Sequence, residues 1–419
     1  MWSTGFWKLV VTNIVTLLSG TALARALLAI ASVVIARQVG PEVYGQYSAS
    51  LALIGLTTIF FSLGLDNWLL YKGGRDHKQL NLRLGSALST QILLGVIWVM
   101  GLWILAPKLN QSSFPWSLIA LGSLALFMEE IAKLIGAAFT ALLRNDLTTI
   151  TMLTTQGTFL SLTIWLVTQG NQNPQGFMAA RLAGALAGTV LASILIARAI
   201  RVRANLSAVP ATVRESLPFA ASGLLAVIYG SADLALVAAR LGERPAGVYA
   251  SAINVLSIFF LIPLAVYAVM VPILSRGYVE ESPAWFRKTS TWLLLIVSLM
   301  GIALGIGLNQ FAQTLVNLLF GMKFEEAGAV LAILGGVLVL RCASSALAAM
   351  LVALGWQGRR AVVQAFSAFS NVILVILFVE RYGLLGVARI YVFTELALFL
   401  GYLAMNTLWM RRERAGQKS

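Results

Sequence analysis

The stretch Arg37-Gln38-Val39-Gly40-Pro41-Glu42-Val43-Tyr44-Gly45-Gln46-Tyr47 decides how this chain folds. It interrupts a long apolar run with an arginine and a Gly-Pro turn, then opens a new apolar run at Gly45-Gln46-Tyr47. Gly-Pro dipeptides mark turns. About 200 residues later the order returns as Arg240-Leu241-Gly242-Glu243-Arg244-Pro245-Ala246-Gly247-Val248-Tyr249. Each copy reads arginine, a Gly/Pro turn, then Gly-x-Tyr at the head of a helix.

Working outward, 59% of the 419 residues are apolar and 11% are charged, with a mean hydropathy of +0.86. A soluble domain is roughly 45–50% apolar and about 25% charged, so the composition excludes both a water-soluble enzyme and a disordered chain. One crossing of ~30 Å of hydrocarbon takes about 20 apolar residues. Apolar windows between charge and breaker clusters predict twelve spans. They fall near 14–36, 46–70, 83–106, 115–140, 147–168, 175–200, 214–239, 247–275, 288–310, 327–354, 359–379 and 384–408. The start of the chain could pass for a signal peptide, but the apolar run continues to Ala36 and reads as an uncleaved first span. The single cysteine, Cys342, allows no disulfide framework, and the single histidine, His77, offers no metal cluster. No P-loop occurs, so no ATPase, cofactor or metal is expected.

Charge sorting agrees with this layout. The N-terminus and every second loop carry 19 lysines and arginines, against 6 in the alternate loops. The positive-inside rule then predicts a plasma-membrane protein with both termini in the cytoplasm. The surplus of positive charge, +14 overall, reflects topology and anionic headgroups, and calls for no nucleic acid. No connection is long enough to hold an extramembranous catalytic domain.

Two further landmarks recur in the same order. Phe139-Thr140-Ala141-Leu142-Leu143-Arg144 pairs with Met350-Leu351-Val352-Ala353-Leu354-Gly355, and Gly176 to Arg181 pairs with Gly386 to Arg389. Six spans separate each pair, so the halves share one orientation. A parallel repeat implies two bundles with a site where they meet. The domains expected are a six-helix lobe at 1–200, a cytoplasmic linker at 201–213, a second six-helix lobe at 214–408 and a cytoplasmic tail at 409–419.

With twelve spans in two halves and the motif after the first and seventh, the sequence resembles the polysaccharide transporter branch of the MOP exporter superfamily, which includes the O-antigen and oligosaccharide-lipid flippases. The resemblance implies an all-α, MOP/MATE-like membrane protein with 12 transmembrane helices in two pseudo-symmetric lobes. It also implies translocation of an undecaprenyl-pyrophosphate-linked oligosaccharide to the outer leaflet of a bacterial inner membrane, by alternating access. Lipid-linked oligosaccharide and membrane lipids are the implied partners, with polysaccharide polymerase and glycosyltransferases alongside.

Ionisable residues inside spans cost about 2.5–3.5 kcal/mol at the bilayer centre, so each is a functional candidate. Arg25 shares a narrow polar stripe with Thr21 and Ser32. Guanidinium groups suit pyrophosphate because they stay charged and offer forked donors. Arg25 and Arg341 are the expected cavity cations, and Arg181 is placed either at its rim or snorkelling to headgroups. Arg341 maps by the repeat onto Glu130, and the two could pair across the lobes. Glu129 and Lys133 stand at i,i+4 and could neutralise each other. Asp66 and Asp233 are candidates for proton or cation coupling, and Glu395 is a similar candidate. Pro218, Pro263 and Pro272 are expected to bend their helices, and the tryptophans to form an interfacial belt.

The flippase reading stands against a drug/cation antiporter of the same superfamily, which would want acidic residues in the cavity. It also stands against a membrane glycosyltransferase or polymerase, which would want a long outer loop.

Overall fold

In the computed structural model, residues 4–75, 79–109 and 112–416 are described, and His77 lies outside them. Among the described residues every regular element is helical. The first is α1, Thr4–Thr57, whose 54 residues would run about 81 Å at 1.5 Å per residue, far beyond one crossing. It is divided at Gly40, whose φ of 79° and ψ of 175° are not helical. That is the Gly-Pro turn, and only glycine adopts this backbone without strain.

There follow α2 (Ile59–Ser62), α3 (Leu65–Arg75), α4 (Leu80–Leu109), α5 (Trp116–Ala141), α6 (Asn145–Thr168) and α7 (Pro174–Ala199). After the linker come α8 (Val209–Leu241), α9 (Glu243–Phe259), α10 (Leu261–Glu280), α11 (Pro283–Phe320), α12 (Glu326–Ala353) and α13 (Gln357–Gly416). The 60-residue α13 is divided at Gly383, again with a left-handed φ of 57°. Among the described residues eight helical stretches are long and apolar enough to cross a membrane. The chain is therefore an all-α, multi-pass membrane protein, and twelve crossings remain the sequence's own count.

Three details differ from the sequence expectation. The second span is not continuous: Leu63 (φ 44°) and Gly64 (φ 64°) break it, leaving α3 as a separate short helix. A Cβ on Gly64 would press on the backbone of Phe219 in α8, so glycine is needed there for space as well as for conformation. The ninth span does not stop near 310. Phe311 to Phe320 extend α11 until Gly321 (φ 86°) ends it. Of the three prolines, Pro218 and Pro272 lie inside helices, while the α9–α10 division at Phe260 falls three residues before Pro263. The missing N–H of Pro263 removes the bond that would have tied it to Phe259.

The chain forms two compact units, Met1–Gly247 and Val248–Ser419. In the first, α5 packs against α7, and α6 against both α1 and α7. Gly184 and Gly188 of α7 lie directly on Thr155 of α6, as the small-residue spacing predicts. Within the same unit the two copies of the motif meet reciprocally. A Cβ on Gly45 would strike the Glu243 carbonyl, and one on Gly247 would strike the Pro41 carbonyl. In the second unit α12 is the most enclosed span, with α10, α11 and α13 against it. Not every tryptophan is interfacial. Trp98 is buried and donates to Thr57 Oγ1 at 3.0 Å, because a buried indole N–H needs an acceptor.

Candidate functional site

The residues that gather the most intramembrane charge surround a cavity of about 420 Å³ inside the first unit. Helix α1 contributes Thr21, Ala24, Arg25 and Leu28, a spacing of i, i+3, i+4 and i+7 that lies on one helical face. The expected polar stripe of α1 thus faces the cavity through Thr21 and Arg25. Opposite charge comes from α3, with Asp66, and from α5, with Glu129 and Glu130. Helix α6 adds Thr148, Thr151, Thr155 and Gln156, a polar face that the sequence reading overlooked. Its signal was present in the i, i+3, i+7 spacing of the threonines.

Lys133 is the hub of one charge group. Its Nζ lies 3.2 Å from Asp66 Oδ2 and 3.5 Å from Glu130 Oε2. The expected Glu129–Lys133 neutralisation is therefore not the pairing that forms. Lys133 turns toward α3 because the break at Leu63–Gly64 places Asp66 within reach, and one ammonium then serves two carboxylates. Glu129 has a different partner. Arg181 of α7 meets it with Nε to Oε1 at 3.0 Å and Nη2 to Oε2 at 3.0 Å, a bidentate fork. Tyr47, from the motif, lies against the same guanidinium. Arg181 is therefore a clamped cation joining α5 to α7, which differs from the snorkelling reading. Its side chain is 14% exposed, and a guanidinium so placed in an apolar medium needs a counter-ion.

Arg25 has no ion-pair partner among the described residues. The charges that line the cavity are Arg25 and Lys133 against Asp66, Glu129 and Glu130, and Arg181 answers Glu129 from outside the lining. The expectation of a purely cationic pocket is corrected accordingly. The Lys133 group carries a net negative charge because two carboxylates share one cation.

Arg341, the other expected cavity cation, is paired within the second unit. Its Nε lies 2.8 Å from Glu395 Oε1, its Nη2 lies 3.1 Å from Oε2 and 3.2 Å from the Tyr391 hydroxyl, and Phe260 lies 4.8 Å beneath the guanidinium. Glu395 is fully buried. Glu395 is thus the counter-ion of Arg341 in the second unit, as Lys133 is of Glu130 in the first. Asp233 is buried on α8 and does not line the 420 Å³ cavity. The two halves of α13, on either side of Gly383, are joined by Asn371 Nδ2 donating to Thr394 Oγ1 at 3.3 Å.

The arrangement offers a polar vestibule with one uncommitted guanidinium and a hydroxyl-bearing wall, next to a three-membered charge relay. It can take an anionic group at Arg25 and hydrogen-bond neutral polar groups along α6.

Comparison with known proteins identifies the family and the fold. The family described as "Polysaccharide biosynthesis protein" matches residues 34–329. The probable low-salt glycan biosynthesis flippase Agl15 of Haloferax volcanii is 25% identical over 160 residues, covering 38% of this chain and 34% of that protein. The alignment thus spans about a third of that relative. Among solved structures, an inward-facing multidrug resistance MATE transporter of the MOP superfamily superposes with a TM-score of 0.77 at 17% identity, covering 94% of this chain and 95% of the other. The lipid II flippase MurJ in its inward closed conformation superposes with a TM-score of 0.73 at 14% identity, covering 94% and 87%. These likenesses establish the MOP fold.

Proposed function

Because the chain belongs to the polysaccharide biosynthesis protein family and folds as a MOP transporter, we propose that it is a flippase for lipid-linked oligosaccharide. The cargo carries a pyrophosphate, with undecaprenyl as the lipid, and moves from the cytoplasmic to the outer leaflet of the plasma membrane. Both termini are cytoplasmic. Two six-helix lobes, 1–200 and 214–408, alternate access without chemical conversion of the cargo. Glycosyltransferases and a polymerase act before and after it on the same glycan.

The observation that carries this reading is Arg25, an arginine on the cavity wall with no ion-pair partner among the described residues. The pyrophosphate engages Arg25, sugar hydroxyls run along the α6 threonines, and Lys133 with Asp66 and Glu130 serves gating or coupling. Outward movement of about two negative charges against an inside-negative potential of ~100 mV releases roughly 4.6 kcal/mol, enough to bias direction.

The test is complementation of a strain that lacks its own flippase. Arg25→Ala at normal protein level should abolish surface glycan, and Arg25→Lys should retain part of it. Full surface glycan with Arg25→Ala would remove the reading. The acidic trio in the same cavity favours a second reading, a drug/cation antiporter. Drug resistance conferred by the wild type, lost with Asp66→Asn and indifferent to Arg25→Ala, would select that reading instead.

A further inference from the structure

A second cavity, of about 290 Å³, lies in the first unit where the linker joins α8. Its walls are α3, the start of α4, the turn at Leu206–Ala208 and the start of α8. The linker is held firmly there. Gly85 of α4 admits the Arg203 carbonyl where a Cβ would collide with it, and the Asn205 N–H donates to Ser89 Oγ at 3.1 Å.

Donors converge in this cavity on a single acceptor. Lys72 Nζ lies 2.9 Å from Glu215 Oε2, and Trp68 Nε1 donates to the same oxygen at 3.3 Å. Arg83 lines the same space, its guanidinium held by the Lys72 carbonyl and by Gln79 Oε1 at 3.2 Å. Trp68 is 4% exposed, so its N–H must find an acceptor inside the cavity, whichever acceptor that is. Lys72 and Glu215 are 37% and 46% exposed, and an ion pair this open to water is weakly held.

We propose that this cavity is a receiving site for a diphosphate, in which Glu215 is a resident stand-in that the incoming anion displaces. A carboxylate carries one charge and satisfies Lys72 and Trp68 through one oxygen. A diphosphate carries more charge, presents tetrahedral oxygens in several directions, and can accept from Lys72, Trp68 and Arg83 together. Displacement of Glu215 also removes the polar tie between α3 and α8, while Tyr71 stays packed on Phe219 with ring centroids 5.7 Å apart. The identity of the ligand as the cargo's own diphosphate rests on the flippase reading. The site itself rests on the donor geometry.

The test uses the purified full chain in detergent, with inorganic pyrophosphate and farnesyl diphosphate as probes and sulfate at matched ionic strength as control. Lysine acetylation read by mass spectrometry reports occupancy in the wild type. Pyrophosphate should slow labelling of Lys72 about fivefold or more, leaving Lys133 and Lys108 unchanged, an effect of the size expected for a charge-assisted contact. Glu215→Gln should bind pyrophosphate about tenfold more tightly, because a competing carboxylate is gone. Adding Lys72→Gln should reverse that gain. Protection at lower concentrations of farnesyl diphosphate than of pyrophosphate supports a lipid source, and equal protection supports a site for the free anion. Equal protection by sulfate, protection at Lys133 instead of Lys72, or unchanged affinity in Glu215→Gln would overturn the proposal. Arg25→Ala leaves this binding intact, so the site can stand where the flippase reading fails, and the reverse.

Discussion

Arg181 grips Glu129 through two parallel contacts of 3.0 Å each, across the interface of α7 and α5 and beside the motif tyrosine Tyr47. Truncating one partner leaves the other charge enclosed and unpaired, which costs about 3–5 kcal/mol. Arg181→Ala and Glu129→Ala should therefore each lower thermal stability in detergent severely. The double variant should lose clearly less than the two single losses combined. Simple additivity to within about 0.5 kcal/mol would show that the fork contributes no coupling.

The second unit repeats this arrangement with polarity reversed, the arginine on α12 and the glutamate on α13. Exchanging the two as Arg341→Glu with Glu395→Arg should recover much of the stability that either single change removes. Recovery should be incomplete, since the guanidinium leaves Phe260, a contact of about 0.5–2 kcal/mol. Thermal unfolding of the three variants tests this. A double variant as unstable as the worse single variant would contradict the pairing.

Lys133 is shared by Asp66 and Glu130, so its removal leaves two carboxylates facing each other. Lys133→Met should reduce both protein level and glycan export. Adding Glu130→Gln should restore protein level, because one of the stranded charges is then neutral. If Lys133→Met alone accumulates normally, the triad is not what holds α3 to α5.

Gly45 and Gly247 approach the backbone so closely that no Cβ fits. Gly45→Ala and Gly247→Ala should each cost about 3 kcal/mol or more, since backbone cannot yield as a side chain can. Gly101→Ala and Gly157→Ala, where a Cβ meets open space, should be neutral or stabilise by about 0.5–1 kcal/mol. Melting curves of the four variants decide the matter.

Much of the architecture was legible because a span announces itself by length and apolarity, and a turn by glycine and proline. Gly40-Pro41 marked the first division, and the spacing of Gly184 and Gly188 marked a packing face on α7, whose partner α6 only the structure names. The candidate site was only half legible. Arg25 with Thr21 was found from its stripe, yet the partners of Lys133, Arg181 and Arg341 were not. In these helices both the lipid face and the packed face are apolar, so periodicity does not fix rotation about the axis. Which charge meets which depends on that rotation. Asp66 reached Lys133 only because Leu63 adopts a left-handed backbone, which nothing in a leucine foretells. The Glu215 contact was missed for a related reason: it joins residues 147 positions apart through a linker whose path only the fold defines.

The opposite placement of acid and base in the two helix pairs has an evolutionary consequence. Gene conversion between the halves would copy a glutamate from α5 into α12, where it would confront Glu395 with no cation left to separate them. The two helices are thus non-interchangeable at this point. A chimera that carries α5 in place of α12 beside the native α13 would inherit an electrostatic fault that no loop redesign could mend.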